Sequence, residues 1–153
     1  FYIDGKNLIM TMPNPNGSGM LNQNSGKIDN KGFELQAAYR VNRLWSVDAN
    51  YSYLHMENPV VAAPKHKLYA GTTFSKGRWN VSTGLQYIAG LYTTVSPDTT
   101  EEFVLWNVRA SFHTTKWLDI WARGENLLAQ KYEINAGYPM PRATVMCGLN
   151  INF

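Results

Sequence analysis

The sequence has no long apolar run. Its longest uninterrupted aliphatic stretch is Val60-Val61-Ala62-Ala63, far short of the roughly 18–20 residues that a membrane-crossing helix needs. A helical membrane protein is therefore excluded. Cysteine is almost absent: Cys147 is the only one in 153 residues, so no internal disulfide can form and the redox compartment stays open. The net charge of +3 comes from 14 Lys and Arg against 11 Asp and Glu, scattered along the chain. Without a run of basic residues, nucleic acid is not an expected partner. There is no His-Glu-x-x-His, no cysteine pair and no tight carboxylate cluster, so neither a metal site nor a cofactor is expected. Catalysis is not expected either. Ser52, Ser111 and His113 are available, and Ser111 and His113 share one strand face, but no strained nucleophile turn or third orienting group accompanies them. The start, Phe1-Tyr-Ile-Asp-Gly, lacks an initiator methionine, a basic segment and an apolar segment, and reads as the interior of a longer protein.

What the chain does have is aromatic residues and alternation. Nine Tyr and five Trp outweigh six Phe, and such amphipathic rings suit a bilayer interface. The last eleven residues alternate strictly. Ala143, Val145, Cys147, Leu149, Ile151 and Phe153 fall on one face, with Thr144, Met146, Gly148, Asn150 and Asn152 on the other. Period-two alternation marks a strand with unlike faces. The pattern recurs upstream over about residues 30–41, 45–56, 64–75, 79–92, 102–113 and 117–128, and a first strand over about 1–12 is placed mainly by position. The expected fold is all-β, with about eight antiparallel up-and-down strands of a membrane β-barrel.

Charge separates a membrane barrel from a soluble sandwich. Glu34, Arg40, Asp48, Arg109, Asp119, Arg123 and Glu125 all fall on the polar faces, and the apolar faces from Phe33 to Val41, Trp45 to Tyr53, Leu68 to Phe74, Trp79 to Ala89, Trp106 to Phe112 and Leu118 to Gly124 carry none. A cation at a bilayer midplane costs about 2–4 kcal/mol, so lipid enforces this partition. The polar faces are rich in Gly, Ser, Asn, Gln and Thr, as a wet interior requires. The connections also alternate in length. Residues 42–44, 76–78 and 114–116 read as tight turns, whereas about 13–27, 57–63, 93–101 and 129–141 read as long loops. Short turns on one side and long loops on the other are the plan of an outer-membrane barrel. Trp45, Trp79 and Trp117 each follow a tight turn and are expected to form an aromatic girdle. The first loop from Pro13 to Gly26, rich in Pro, Asn and Gly and free of charge, is expected to be irregular and mobile.

The segment Arg123-Gly-Glu-Asn-Leu-Leu-Ala-Gln-Lys-Tyr-Glu133, followed by Gly137-Tyr-Pro-Met-Pro-Arg142 and a strand ending in Phe153, resembles the C-terminal end of TonB-dependent receptors. Asn30-Lys-Gly-Phe-Glu-Leu-Gln36 resembles a strand entry found earlier in the same barrels. The chain departs from the pattern in having no Gly between Pro141 and Arg142, and in having Leu128 where an aromatic is common.

The resemblance implies that residues 1–153 form a C-terminal barrel segment of a bacterial outer-membrane receptor whose plug domain lies outside this chain. It further implies TonB-energised uptake of an iron-siderophore, haem, cobalamin or similar cargo. The implied partners are outer-membrane lipid, the protein's own plug, TonB, the insertion machinery and a small-molecule or metal-complex substrate. On this reading Arg109, Asp119, Arg123, Glu125, Glu34 and Arg40 face the lumen or plug, or satisfy one another within the wall. His55, His66, Tyr92 and Tyr138, with Met20 and Met140, are the candidate ligand contacts near the exterior loops. Phe153 resembles a membrane-insertion signal. Two other architectures fit the residues: a complete small eight-stranded barrel serving as anchor or adhesin, and a soluble β-protein that binds a small ligand.

Overall fold

The computed structural model describes residues 1–14 and 16–151; the expected insertion signal, Phe153, lies outside the described residues. Eight strands follow one another: β1 (Tyr2–Pro13), β2 (Met20–Arg40), β3 (Trp45–Met56), β4 (Pro64–Lys76), β5 (Trp79–Val95), β6 (Asp98–His113), β7 (Leu118–Glu125) and β8 (Thr144–Ile151). They form one antiparallel sheet in sequence order, the topology that short hairpin connections favour. Among the described residues β1 and β8 neither pair nor touch, so the eight strands do not close on themselves. The expectation of eight antiparallel up-and-down strands holds.

The register keeps the two faces separate across the sheet. Leu35 pairs with Tyr51, Tyr51 with Leu68, Leu68 with Tyr87, and Tyr87 with Val104. One residue further along, Gln36 pairs with Asn50, Asn50 with Tyr69, and Tyr69 with Gln86. A slip of a single residue would exchange the faces. The apolar face is not covered: Leu35 is 63% exposed and Val145 75%. A soluble sandwich would bury that face against a second sheet, and the described residues form only one.

Aromatic pairs border the apolar face at both ends. Trp45 packs on Phe74 with ring centroids 4.8 Å apart, and Trp79 on Phe112 at 4.7 Å, beside the tight turns. At the other end Phe33, Tyr51, Tyr53 and His66 form a second cluster. Trp45 to Tyr53 spans about 26 Å at roughly 3.3 Å per residue, close to the roughly 25 Å band of outer-membrane barrels. Trp117 sits in the turn just before β7 rather than beginning the strand.

Two of the expected long loops are corrected. In place of a loop over 13–27, β2 begins at Met20 and extends the hairpin with β1, leaving a short turn in which the Asn14 amide donates to Gly19 O at 2.9 Å. In place of a loop over 93–101, β5 and β6 run on until only Ser96 and Pro97 separate them. In both segments the backbone ladder supplies the order, because their mostly polar sequence shows no apolar–polar alternation. The connections over 57–63 and 126–143 are irregular, as expected for the first and close to expectation for the second.

The small core lies on the polar face near the long-connection end. Ile88, Leu91 and Phe103 are buried together, and Leu105, Tyr132 and Ile134 pack against them. A bulge makes this possible. Ile88 pairs with Phe103 but Leu91 with Glu101, so β5 carries an extra residue, and Gly90 sits there with φ +63°. The bulge re-phases β5 so that Leu91 joins Ile88 on one face.

Candidate functional site

Between β5 and β8 the polar face concentrates charge. β6 and β7 flank a tight turn, and equal steps back from it place Arg109 opposite Arg123 and His113 opposite Asp119. The Arg109 guanidinium stacks 5.2 Å above the Trp121 ring, a cation–π contact. Arg123 Nη1 lies 3.4 Å from Glu125 Oε1, and Nη2 lies 3.5 Å from Met146 Sδ. Nearer the turn, His113 Nδ1 and Asp119 Oδ1 are 2.6 Å apart. Asp119 is thus the orienting carboxylate that the sequence did not reveal for His113, but no hydrogen bond joins His113 to Ser111 among the described residues.

The long connection between β7 and β8 folds back over the core. Its anchor is Asn126, 5% exposed and held at φ +48°, a conformation asparagine tolerates better than most residues. Its Nδ2 donates to Gln130 O at 2.9 Å and Pro141 O at 3.1 Å, while its Oδ1 accepts from the Gln130 amide at 3.0 Å. Its own amide donates to Asn107 Oδ1 on β6 at 2.9 Å. One residue therefore joins both ends of the connection to each other through its side chain and to the sheet through its amide. The Ala136 amide donates to Thr93 O at 3.2 Å, and the Tyr132 ring packs, tilted by 30°, on Phe103 with centroids 4.1 Å apart. Burial, and then the Glu125 charge, push the Tyr132 phenol pKa up. Beneath the connection lies a cavity of about 350 Å³ lined by Glu101, Lys131, Tyr132, Glu133, Met140 and Arg142. Except for Tyr132, these are polar, charged or flexible groups beside an aromatic wall, suited to a ligand of mixed polarity.

The structure brings Arg109, Arg123 and Glu125 together around one hollow, with Asp119 nearer the turn. Glu34 lies on the same face but four strands from Arg109, opposite Ser52, in a separate hollow that Lys67 also lines. Arg40 is exposed at the tight turn, where its Nε donates to Asn42 O at 3.4 Å. His55 closes the far end of β3 and lines a small cavity with Lys65 and Tyr92. His66 is a β4 residue on the apolar face, with its Nδ1 2.8 Å from Tyr51 Oη. Tyr92 belongs to the β5 extension, and Tyr138 is an exposed residue of the long connection. Of the two methionines, Met140 lines the cavity beneath the β7–β8 connection and Met20 begins β2, exposed. Sequence reasoning missed Asn126, Trp121 and the Ile88–Phe103 core. Equal counting from the β6–β7 turn could have placed Trp121, since it pairs with Ser111. Among the described residues no group of three or more His, Cys, Asp or Glu could hold a metal.

A family model described as "TonB dependent receptor-like, beta-barrel" matches residues 1–127. No curated protein matches the chain by sequence. Among solved structures, one titled "Copper transporter OprC" superimposes with a TM-score of 0.78 at 18% identity, over 97% of this chain and 28% of that one. The siderophore receptor PiuA from Acinetobacter baumannii gives 0.72 at 20%, over 85% and 22% respectively. The ferric-catecholate import receptor Fiu from E. coli K12 gives 0.69 at 20%, over 98% and 24%. At these identities the likeness is one of fold, and the chain spans well under a third of each of those proteins.

Proposed function

The chain belongs to the TonB-dependent receptor β-barrel family, and from that premise we propose that it forms part of the wall of an outer-membrane receptor that imports a scarce nutrient. The observation that carries this reading is an apolar face kept in register across the sheet, bordered by aromatic pairs at both ends and left uncovered by the protein. Lipid covers such a face, and the polar face looks inward onto a plug and the import path. The cargo is a metal-bearing small molecule, a reading supported by structural neighbours named for copper, a siderophore and a ferric catecholate. The cavity beneath the β7–β8 connection, with Lys131 and Arg142 beside Glu101 and Glu133, is the surface from which this wall contributes to cargo contact. TonB, the plug and the outer-membrane insertion machinery are the protein partners.

Spin labels in the full-length receptor test the orientation. Labels at Val47, Leu85 and Val108 are expected to collide with oxygen dissolved in lipid, and labels at Asn50, Gln86 and Asn107 with a water-soluble relaxant or with protein. The reverse pattern would overturn the assignment of faces. Uptake tests the activity. Cells expressing the full-length receptor are expected to accumulate a labelled ferric siderophore only while TonB is present, and equal accumulation without TonB would exclude energised import.

A further inference from the structure

Arg109 and Arg123 are direct cross-strand partners, and like charges placed opposite one another destabilise a sheet. Among the described residues only one carboxylate, Glu125, answers the two guanidinium groups, which leaves a local excess of one positive charge. Arg109 makes no ion pair among the described residues. It rests instead on Trp121, which lies flat because Gly148 opposite has no side chain: a Cβ there would come within 2.6 Å of Trp121 Cζ2. Arg123 keeps a buried Nε without a hydrogen-bond partner. Stacking holds a guanidinium plane in place while leaving its N–H edge free to donate. Beside the two arginines lies a trough of about 260 Å³, with Tyr69, Ser82 and Asn107 on its other sides. The trough therefore combines excess positive charge, an arginine with its donor edge free, and neutral hydroxyl and amide groups.

We propose that this trough is an oxyanion subsite that binds a planar carboxylate or a phosphate between Arg109 and Arg123. The proposal rests on the reading of the polar face as the inside of a receptor wall. The oxyanion neutralises the excess charge, and a guanidinium fork matches its geometry with paired, charge-assisted hydrogen bonds. Two sources share this chemistry: an acidic side chain from another segment of the same protein packed against the face, or an anionic group on a free molecule.

The test uses the full-length receptor with Arg109→Gln, Arg123→Gln and Ser82→Asp. Ser82 is the cross-strand partner of Arg109, so an aspartate there supplies the missing carboxylate from within the sheet. Two quantities are read: the urea concentration at which the protein becomes conducting in a planar bilayer, and the binding of radiolabelled inorganic phosphate. If the oxyanion is an internal side chain, all three variants conduct at lower urea than the wild type, and phosphate binds to none. If it is free, phosphate binds the wild type and its affinity falls by roughly tenfold to a hundredfold in the variants, with the urea threshold unchanged. The subsite is overturned if both readings match the wild type in Ser82→Asp and in whichever arginine variants retain the heat-resistant gel mobility of a folded barrel. Failure of the receptor reading appears elsewhere, as TonB-independent uptake by the wild type.

Discussion

Replacing Gly90 with valine is expected to cost the full-length receptor about 3 kcal/mol and to loosen the long-connection end of the sheet selectively. Gly90 holds φ +63° at the β5 bulge, a region that costs a residue with a side chain roughly 1–2 kcal/mol and a β-branched one more. The new Cβ would also stand 2.9 Å from Lys65 Cβ, closer than such atoms pack. If β5 relieves this strain by discarding the bulge, Leu91 and Thr93 rotate off the face they share with Ile88. The core then loses Leu91, a burial worth up to about 1.5–3 kcal/mol. Urea unfolding in lipid vesicles reads the total. Hydrogen exchange reads the location, with faster exchange expected from Ile88 to Phe103 and no change beside the tight turns. Uniform exchange across the sheet, or an unchanged unfolding midpoint, would show that the bulge does not hold the phase.

Asn126→Ala is expected to free the β7–β8 connection and to destabilise the protein by about 3–4 kcal/mol. The substitution strands the Gln130 amide and the carbonyls of Gln130 and Pro141, at about 1 kcal/mol or more for each group left unpaired. Alanine also tolerates φ +48° less well than asparagine. The effect should be local first: amides over 126–143 lose protection, and a protease cleaves the connection while the strands stay protected. Asn126→Asp separates geometry from donation, because aspartate retains the acceptor for the Gln130 amide and loses both Nδ2 donors. It should fall between the two. An alanine variant with wild-type protease resistance would refute the anchoring role.

The strand faces were legible in the sequence wherever one face is apolar and the other polar. Trp45 to Tyr53 and Trp79 to Tyr87 show this, because each residue's partner across the ladder obeys the same alternation. Legibility failed where that contrast vanishes. The lower part of β2, Asn22-Gln-Asn-Ser-Gly-Lys27, is polar at every position, so only pairing with β1 makes it a strand. Beyond Gly90 the phase changes, and a period-two reading carried through the bulge assigns Leu91 and Thr93 to the wrong face. The arginine cluster was legible as residues on polar faces but not as a pair. Its geometry depends on the centre of the β6–β7 turn, which alternation alone locates only to within a residue or so. Asn126 was visible as part of a family-like segment, yet its role depends on Gln130 and Pro141 converging in space.

Tyr69 lies along the sheet over Gly71 and Gly84, where a Cβ at Gly84 would come within 2.6 Å of its ring. Strand side chains ordinarily stand roughly perpendicular to the sheet, and a tyrosine so placed would project its whole length from the wall. Laid across two residues without side chains, it adds little more than the thickness of a ring. Trp121 does the same over Gly148. The clearance on this side of the wall is therefore governed by positions that carry no side chain at all. A single methyl group at Gly84 or Gly148 would thicken the polar face by raising a large ring, without itself reaching the space it closes.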